Sequence, residues 1–135
     1  MINKLPKWLP TIVATVAILY LTLSPNPLPL PPDLSFSGAD AIAHALMFGG
    51  FLAVLWFDVA RYRFPHRMRL ENGLAIAAST VVFGGVIEVL QEAMEIGRYG
   101  EIRDFVANCV GVVIAWALFH WYFNAKLRNW LKKSA

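Results

Sequence analysis

Four apolar runs, separated by short polar or proline-rich breaks, constrain what this chain can fold into. A helix needs about 20 mostly apolar residues to cross ~30 Å of hydrocarbon. Runs of that kind lie at about 8–23, 40–59, 73–94 and 104–123. Inside a bilayer each backbone N–H and C=O must be satisfied within the protein, which for isolated runs of this length means helices. Composition agrees, with 58% of the 135 residues hydrophobic and 16% charged; soluble domains are nearer ~45–50% and ~25%. The expected fold class is an all-α membrane protein, a bundle of four transmembrane helices forming one domain over 1–135.

The first run has a rival reading as a secretory signal, because Lys4 and Lys7 precede its apolar core. It lacks a clear small-x-small cleavage site, it is followed by prolines, and three later runs also require a membrane. The membrane-helix reading is therefore preferred. The single cysteine, Cys109, lies within an apolar run. It has no partner for an intrachain disulfide and reads as a small apolar residue.

Basic residues set the orientation. Lys4, Lys7, Arg61, Arg63, Arg67, Arg69, Lys126, Arg128, Lys132 and Lys133 fall on one side of the four spans. Of the 12 Lys and Arg residues, only Arg98 and Arg103 fall on the other. The positive-inside rule then places both termini and the 60–72 loop in the cytoplasm, with 24–39 and 95–103 facing outward. This N-in/C-in layout gives the basic residues a purpose in topology, and nucleic acid is not an expected partner. Trp8, Trp56, Trp116, Trp121, Tyr122 and Trp130 lie toward the inner ends of the spans and read as interfacial anchors. Asp58 is expected at that interface beside Arg61. Prolines at 25, 27, 29, 31 and 32 favour an extended outer loop, either a spacer or a partial cover.

Small residues recur at every fourth position. Ala41, Ala45, Gly49 and Ala53 form a row in the second span, and Ala107, Gly111 and Ala115 form one in the fourth. The third span carries Ala77, Ala78, Gly84 and Gly85. Such rows let helix backbones approach closely in lipid, so spans two, three and four are expected to pack together.

Ionisable groups inside a span cost about 2.5–3.5 kcal/mol at its centre on insertion scales, so their depth is informative. Asp40 and His44 share a face at the outer end of span two. Glu88, Gln91, Glu92 and Glu95 run down the last two turns of span three, and Asp104 and Asn108 share a face at the start of span four. At ~1.5 Å per residue, His44 and Asn108 lie ~6 Å inside and Glu88 ~9 Å inside. The expectation is one cluster in the outer leaflet with a nearly apolar inner half.

Each member also has a plainer reading. Asp40 and Asp104 begin helices, where a carboxylate caps free N–H groups and suits the dipole. His44 could simply bond a neighbour. Glu88, two turns deep, reads as functional by default, with His44 its first candidate partner and Gln91 and Asn108 further ones. Arg98 and Arg103 edge the cluster, as partners for Glu92, Glu95 or Asp104, or for an incoming anion.

Taken in order, Asp40-x-x-x-His44-x-x-x-Phe48, Glu88-x-x-Gln91, Arg98, and Asp104-x-x-x-Asn108-x-x-Gly111 resemble the VanZ-like family, over roughly residues 36–120. The first span fits its place there too. Ala41 departs from the pattern, which more often has lysine after the aspartate; Arg98 or Arg103 would have to substitute. The resemblance implies a four-helix protein of the bacterial inner membrane. The family takes its name from a member associated with teicoplanin resistance, which implies a phenotype and a location rather than a reaction.

Four functions follow as expectations. The first is a binding protein whose pocket, formed by Asp40, His44, Glu88, Gln91, Arg98, Arg103, Asp104 and Asn108, takes a lipid head group, a lipid-linked envelope precursor or a lipoglycopeptide drug. The second is an enzyme on an envelope lipid, with His44 and Glu88 as a general base and its orienting acid, or the reverse, and Asp40 and Asp104 polarising the site; the outer cluster offers no serine or cysteine nucleophile. The third is proton-coupled transport, which would need polar groups in the inner half and a homodimer. The fourth is a structural hydrogen-bond network. No cofactor and no metal are expected; any metal ligands would be Asp40, His44, Glu88 and Asp104.

Overall fold

The computed structural model describes residues 5–25, 38–95, 97 and 100–134. Its helices are α1 (Leu9–Leu23), α2 (Ala39–Arg63), α3 (Leu70–Met94), α4 (Ile102–Leu118) and α5 (Asn124–Ser134). A π-helical turn, Phe119–Phe123, joins α4 to α5 without a break. No strand occurs among the described residues, and the protein is an all-α bundle of four helical rods. The proline-rich stretch lies almost wholly outside the described residues.

Three rods are long and apolar enough to cross a membrane: α2, α3 and the continuous helix Ile102–Lys133. α1 has 15 residues and so rises only ~22 Å, short of a full hydrocarbon core. The bundle exposes apolar side chains on all its rods, among them Val16, Leu46, Val82, Val89, Ile102 and Val113. Leu46 is 72% and Ile102 84% exposed. Apolar surface this continuous is at rest only against lipid, so the protein is a membrane protein. α2 continues past Val59 to Arg63, placing Arg61 and Arg63 in its last turn, where cations suit the helix dipole.

The closest pair of rods is α2 with α4. Gly111 lies directly against the carbonyl of Ala45, so a Cβ there would have no room. Gly49 in turn faces the Gly111 carbonyl, at 3.1 Å from where its own Cβ would stand, and the Ala115 methyl. From the two small-residue rows, Ala45, Gly49, Gly111 and Ala115 make this crossing.

The core contains Phe48, Leu52, Trp56, Ile87 and Val112, all essentially inaccessible. Trp56 therefore corrects an expectation, because it is a core residue and not an interfacial anchor. Its ring packs 5.9 Å from Phe119 and fills the space beside Gly73, whose Cβ would come within 2.8 Å of it. Trp116 is half-buried and stacked on His120 at 5.5 Å. Trp121 and Tyr122 stay exposed at the surface, as do Trp8 and Trp130.

α1 is fastened at both ends. At its start, buried Asp58 of α2 accepts from the Thr11 backbone N–H at 3.0 Å and the Thr11 hydroxyl at 2.7 Å. Thr11 lies in the first helical turn, and the N-cap residue Trp8 offers no side-chain cap, so a carboxylate from another helix takes that part. Arg61 sits 3.4 Å from the other Asp58 oxygen and donates to the Leu5 carbonyl at 2.9 Å. At the far end, the Gln91 amide donates to the Thr22 carbonyl at 2.9 Å.

Candidate functional site

Three rods contribute to a buried polar cluster at the end of the bundle opposite the start of α1 and the end of α5. His44 stands on the second turn of α2, held from one side by the stacked ring of Phe48 at 6.4 Å. The α2–α4 crossing brings Asn108 opposite it. His44 Nδ1 and Asn108 Oδ1 are 3.1 Å apart; the amide oxygen only accepts, so the imidazole donates. The other half of the Asn108 amide donates to Glu88 Oε1 at 3.4 Å. Gly84 leaves the space for this amide, since a Cβ on Gly84 would lie 3.2 Å from Asn108 Nδ2 and 3.1 Å from the Phe48 ring.

Glu88 is the hub. Its Oε1 also lies 3.6 Å from His44 Nδ1, and its Oε2 accepts the backbone N–H of Glu101 at 3.1 Å. Glu101 is the N-cap residue of α4 and makes no side-chain cap of its own. One turn on, exposed Glu92 accepts the Gly100 N–H at 3.2 Å. Two glutamates of α3 thus hold the entry into α4. On the far side of the imidazole, His44 Nε2 is 3.7 Å from Asp104 Oδ2, too long for a direct hydrogen bond.

The eight residues singled out from the sequence divide as follows. His44, Glu88, Asn108 and Asp104 are brought together. Gln91 is buried but turned to α1 through the Thr22 carbonyl. Asp40 is exposed in the first turn of α2, and Arg103 is exposed near the N-cap Gly38. Arg98 lies outside the described residues. Asp40 and Asp104 both sit inside a first helical turn, where they suit the dipole, while the caps themselves are Gly38 and Glu101. Among the described residues no three His, Cys, Asp or Glu side chains gather as a metal-ligand set.

A groove opens beside the cluster, between α3 and the start of α4. Its volume is about 540 Å³, and its walls are largely apolar, including Gly85, Val89, Ala93, Ile102 and Phe105. Glu88, Glu92 and Glu101 are its acidic lining residues. That size falls within the range of small-ligand sites, and its walls suit an alkyl or prenyl chain. The contributions of Thr22 and of the Glu101 N–H had no sequence signal, because both act through the backbone.

The sequence model of the VanZ/LLP1 family matches residues 8–123, from the start of α1 through the π-helical turn. Neither the curated proteins nor the solved structures give a match to this chain.

Proposed function

The chain belongs to the VanZ/LLP1 family, and from that premise we propose that it binds the polar head of an amphiphile at an outward-facing site in the bacterial inner membrane. The candidate ligands are a lipid head group, a lipid-linked envelope precursor and a lipoglycopeptide antibiotic such as teicoplanin. Both termini face the cytoplasm in this reading, because nine of the described basic residues lie at the end of the bundle where α1 starts and α5 ends.

The observation that carries the reading is the double position of Glu88. One oxygen belongs to the buried His44–Asn108 network, while the residue also lines the apolar groove. A ligand chain lying in the groove would bring its first polar group to Glu88 and Glu92, whose oxygens accept hydrogen bonds from hydroxyl, amide or ammonium donors. Lipid-facing Val89 and Ile102 at the groove would let such a ligand enter sideways from the leaflet.

The test uses the full chain in detergent with three probes: phosphatidylethanolamine, a polyprenyl-linked sugar phosphate and teicoplanin. At least one is expected to raise the thermal midpoint. That rise should disappear in Glu88→Gln and in Val89→Trp, which fills the groove without touching the network. No shift with any probe, or a shift that survives Val89→Trp, overturns the reading.

One observation favours a second reading, a purely structural network: Asn108 is fully buried and each of its amide groups has a partner within the bundle. Unfolding of Glu88→Gln with unchanged behaviour of Val89→Trp would select it. An acid–base enzyme needs His44 at its substrate, and the groove lining includes Glu88 but not His44.

A further inference from the structure

The opposite end of the bundle holds a second cavity, of about 310 Å³, where the π-helical turn passes the 64–69 loop. Arg67 and Met68 of that loop form one wall, and His120, Asn124 and Arg128 form the other. Asn124 donates to the Met68 carbonyl at 3.3 Å and fixes the two walls relative to each other. His120 Nδ1 and Arg128 Nε are buried, and neither has a hydrogen-bond partner among the described residues. Buried polar atoms in a native structure nearly always have partners, so the two that line this cavity, on His120 and Arg128, call for a ligand, water or ion.

The chemistry of that ligand follows from the donors. Two guanidinium groups, an imidazole and an amide face the space, and no carboxylate lines it. The acidic residues at this end are engaged elsewhere, Asp58 by Arg61 and Thr11 and Glu71 by Arg69. Guanidinium pairs match the oxygens of phosphate in fork geometry. The turn that carries His120 is a π-helical insertion, a distortion frequent at functional sites. α5 continues from it with Leu131 buried and Lys132 and Lys133 exposed, as suits a helix at a membrane boundary.

We propose that this cavity binds a phosphate-bearing anion through Arg67, His120 and Arg128, and that its source is the head group of an anionic phospholipid in the leaflet at the basic end. Basic pockets between transmembrane helices hold such head groups. This site is separate from the Glu88 groove and stands or falls independently of it.

The experiment measures lipid retained by the delipidated full chain in detergent, using native mass spectrometry with phosphatidylglycerol and phosphatidylcholine of equal chain length. Phosphatidylglycerol is expected to be retained in preference. Arg67→Gln and Arg128→Gln should each weaken that retention about fivefold, while Lys132→Gln and Lys133→Gln, which remove the same charge outside the cavity, should weaken it less. Arg67 is exposed on a loop, so its variant tests the site even if Arg128→Gln disturbs α5. Equal retention of the two lipids, or equal losses in cavity and control variants, overturns the proposal. Inorganic phosphate is the second arm: stabilisation equal to that given by the lipid keeps the phosphate site and overturns its lipid source.

Discussion

Glu88 accepts from the Asn108 amide and from the Glu101 N–H with different oxygens. Glu88→Gln replaces one of those oxygens with a donor, so one N–H must face another. Leaving a buried donor unsatisfied costs about 1–3 kcal/mol, and a loss of that size is expected in a detergent unfolding titration of the variant. Gly111→Ala is expected to be worse tolerated than Gly49→Ala. The first sets a methyl into the Ala45 backbone carbonyl, whereas the second meets the Gly111 carbonyl at 3.1 Å. Overpacking of the first kind costs about 1–3 kcal/mol or more, and the same titration ranks the pair. At this scale, legibility follows the kind of group involved. His44, Glu88 and Asn108 could be read because side-chain spacing fixes a helix face and residue count fixes depth. The place of Gln91 could not, because its acceptor is the backbone carbonyl of Thr22, and every residue has one. Nor could His120 be distinguished, since its apolar neighbours hid the cavity that it lines.

Helices were legible as elements from their apolar runs, α1 included although its rise falls short of the hydrocarbon core. Their rotations about their own axes were not. The Trp56 misreading shows the difference: depth put it near an interface, but rotation turned its ring into the core beside Gly73. The 58–61 pairing was accessible because Arg61 stands three residues from Asp58 on the same helix. Its more important partner, Thr11, is 47 residues away on α1, and nothing local marks it. That bond makes a prediction for the element. α1 is the shortest rod, so its docking should depend on its polar ties more than that of α2 or α4. Asp58→Asn with Thr11→Val, compared with each single change in a double-mutant cycle, is expected to show a coupling of about 1.5–3 kcal/mol, the range for hydrogen bonds to a charged group. Hydrogen exchange should quicken in the first turns of α1 and leave the α2–α4 crossing unchanged. Coupling near zero would mean that apolar contacts alone hold α1.

The two ends of the whole molecule differ in chemical character. One gathers His44, Glu88, Asn108 and Asp104 beside an apolar groove; the other carries nine of the described basic residues, a cationic cavity, the start of α1 and the end of α5. The proposed ligands of the first end require it to face outward, because envelope precursors and glycopeptide drugs are met there. Charge counts predict that orientation, and the prediction can be checked independently of any ligand. Cys109 is the single native cysteine, so Cys109→Ser gives a background on which one cysteine can be placed at exposed Asp40 or at exposed Lys133. A membrane-impermeant thiol reagent applied to intact bacterial cells is expected to label the first and spare the second until the inner membrane is opened. The reverse pattern would put Glu88 in the cytoplasmic leaflet, remove drugs and outer precursors from the candidates, and turn the cationic cavity outward. Moving basic residues supplies a second handle. Neutralising Arg61, Arg63, Arg67 and Arg69 together while adding lysines at 95–97 should populate the inverted form if positive charge sets topology. A chain that keeps its orientation under that exchange would owe it to something other than the charges that lie along its basic end.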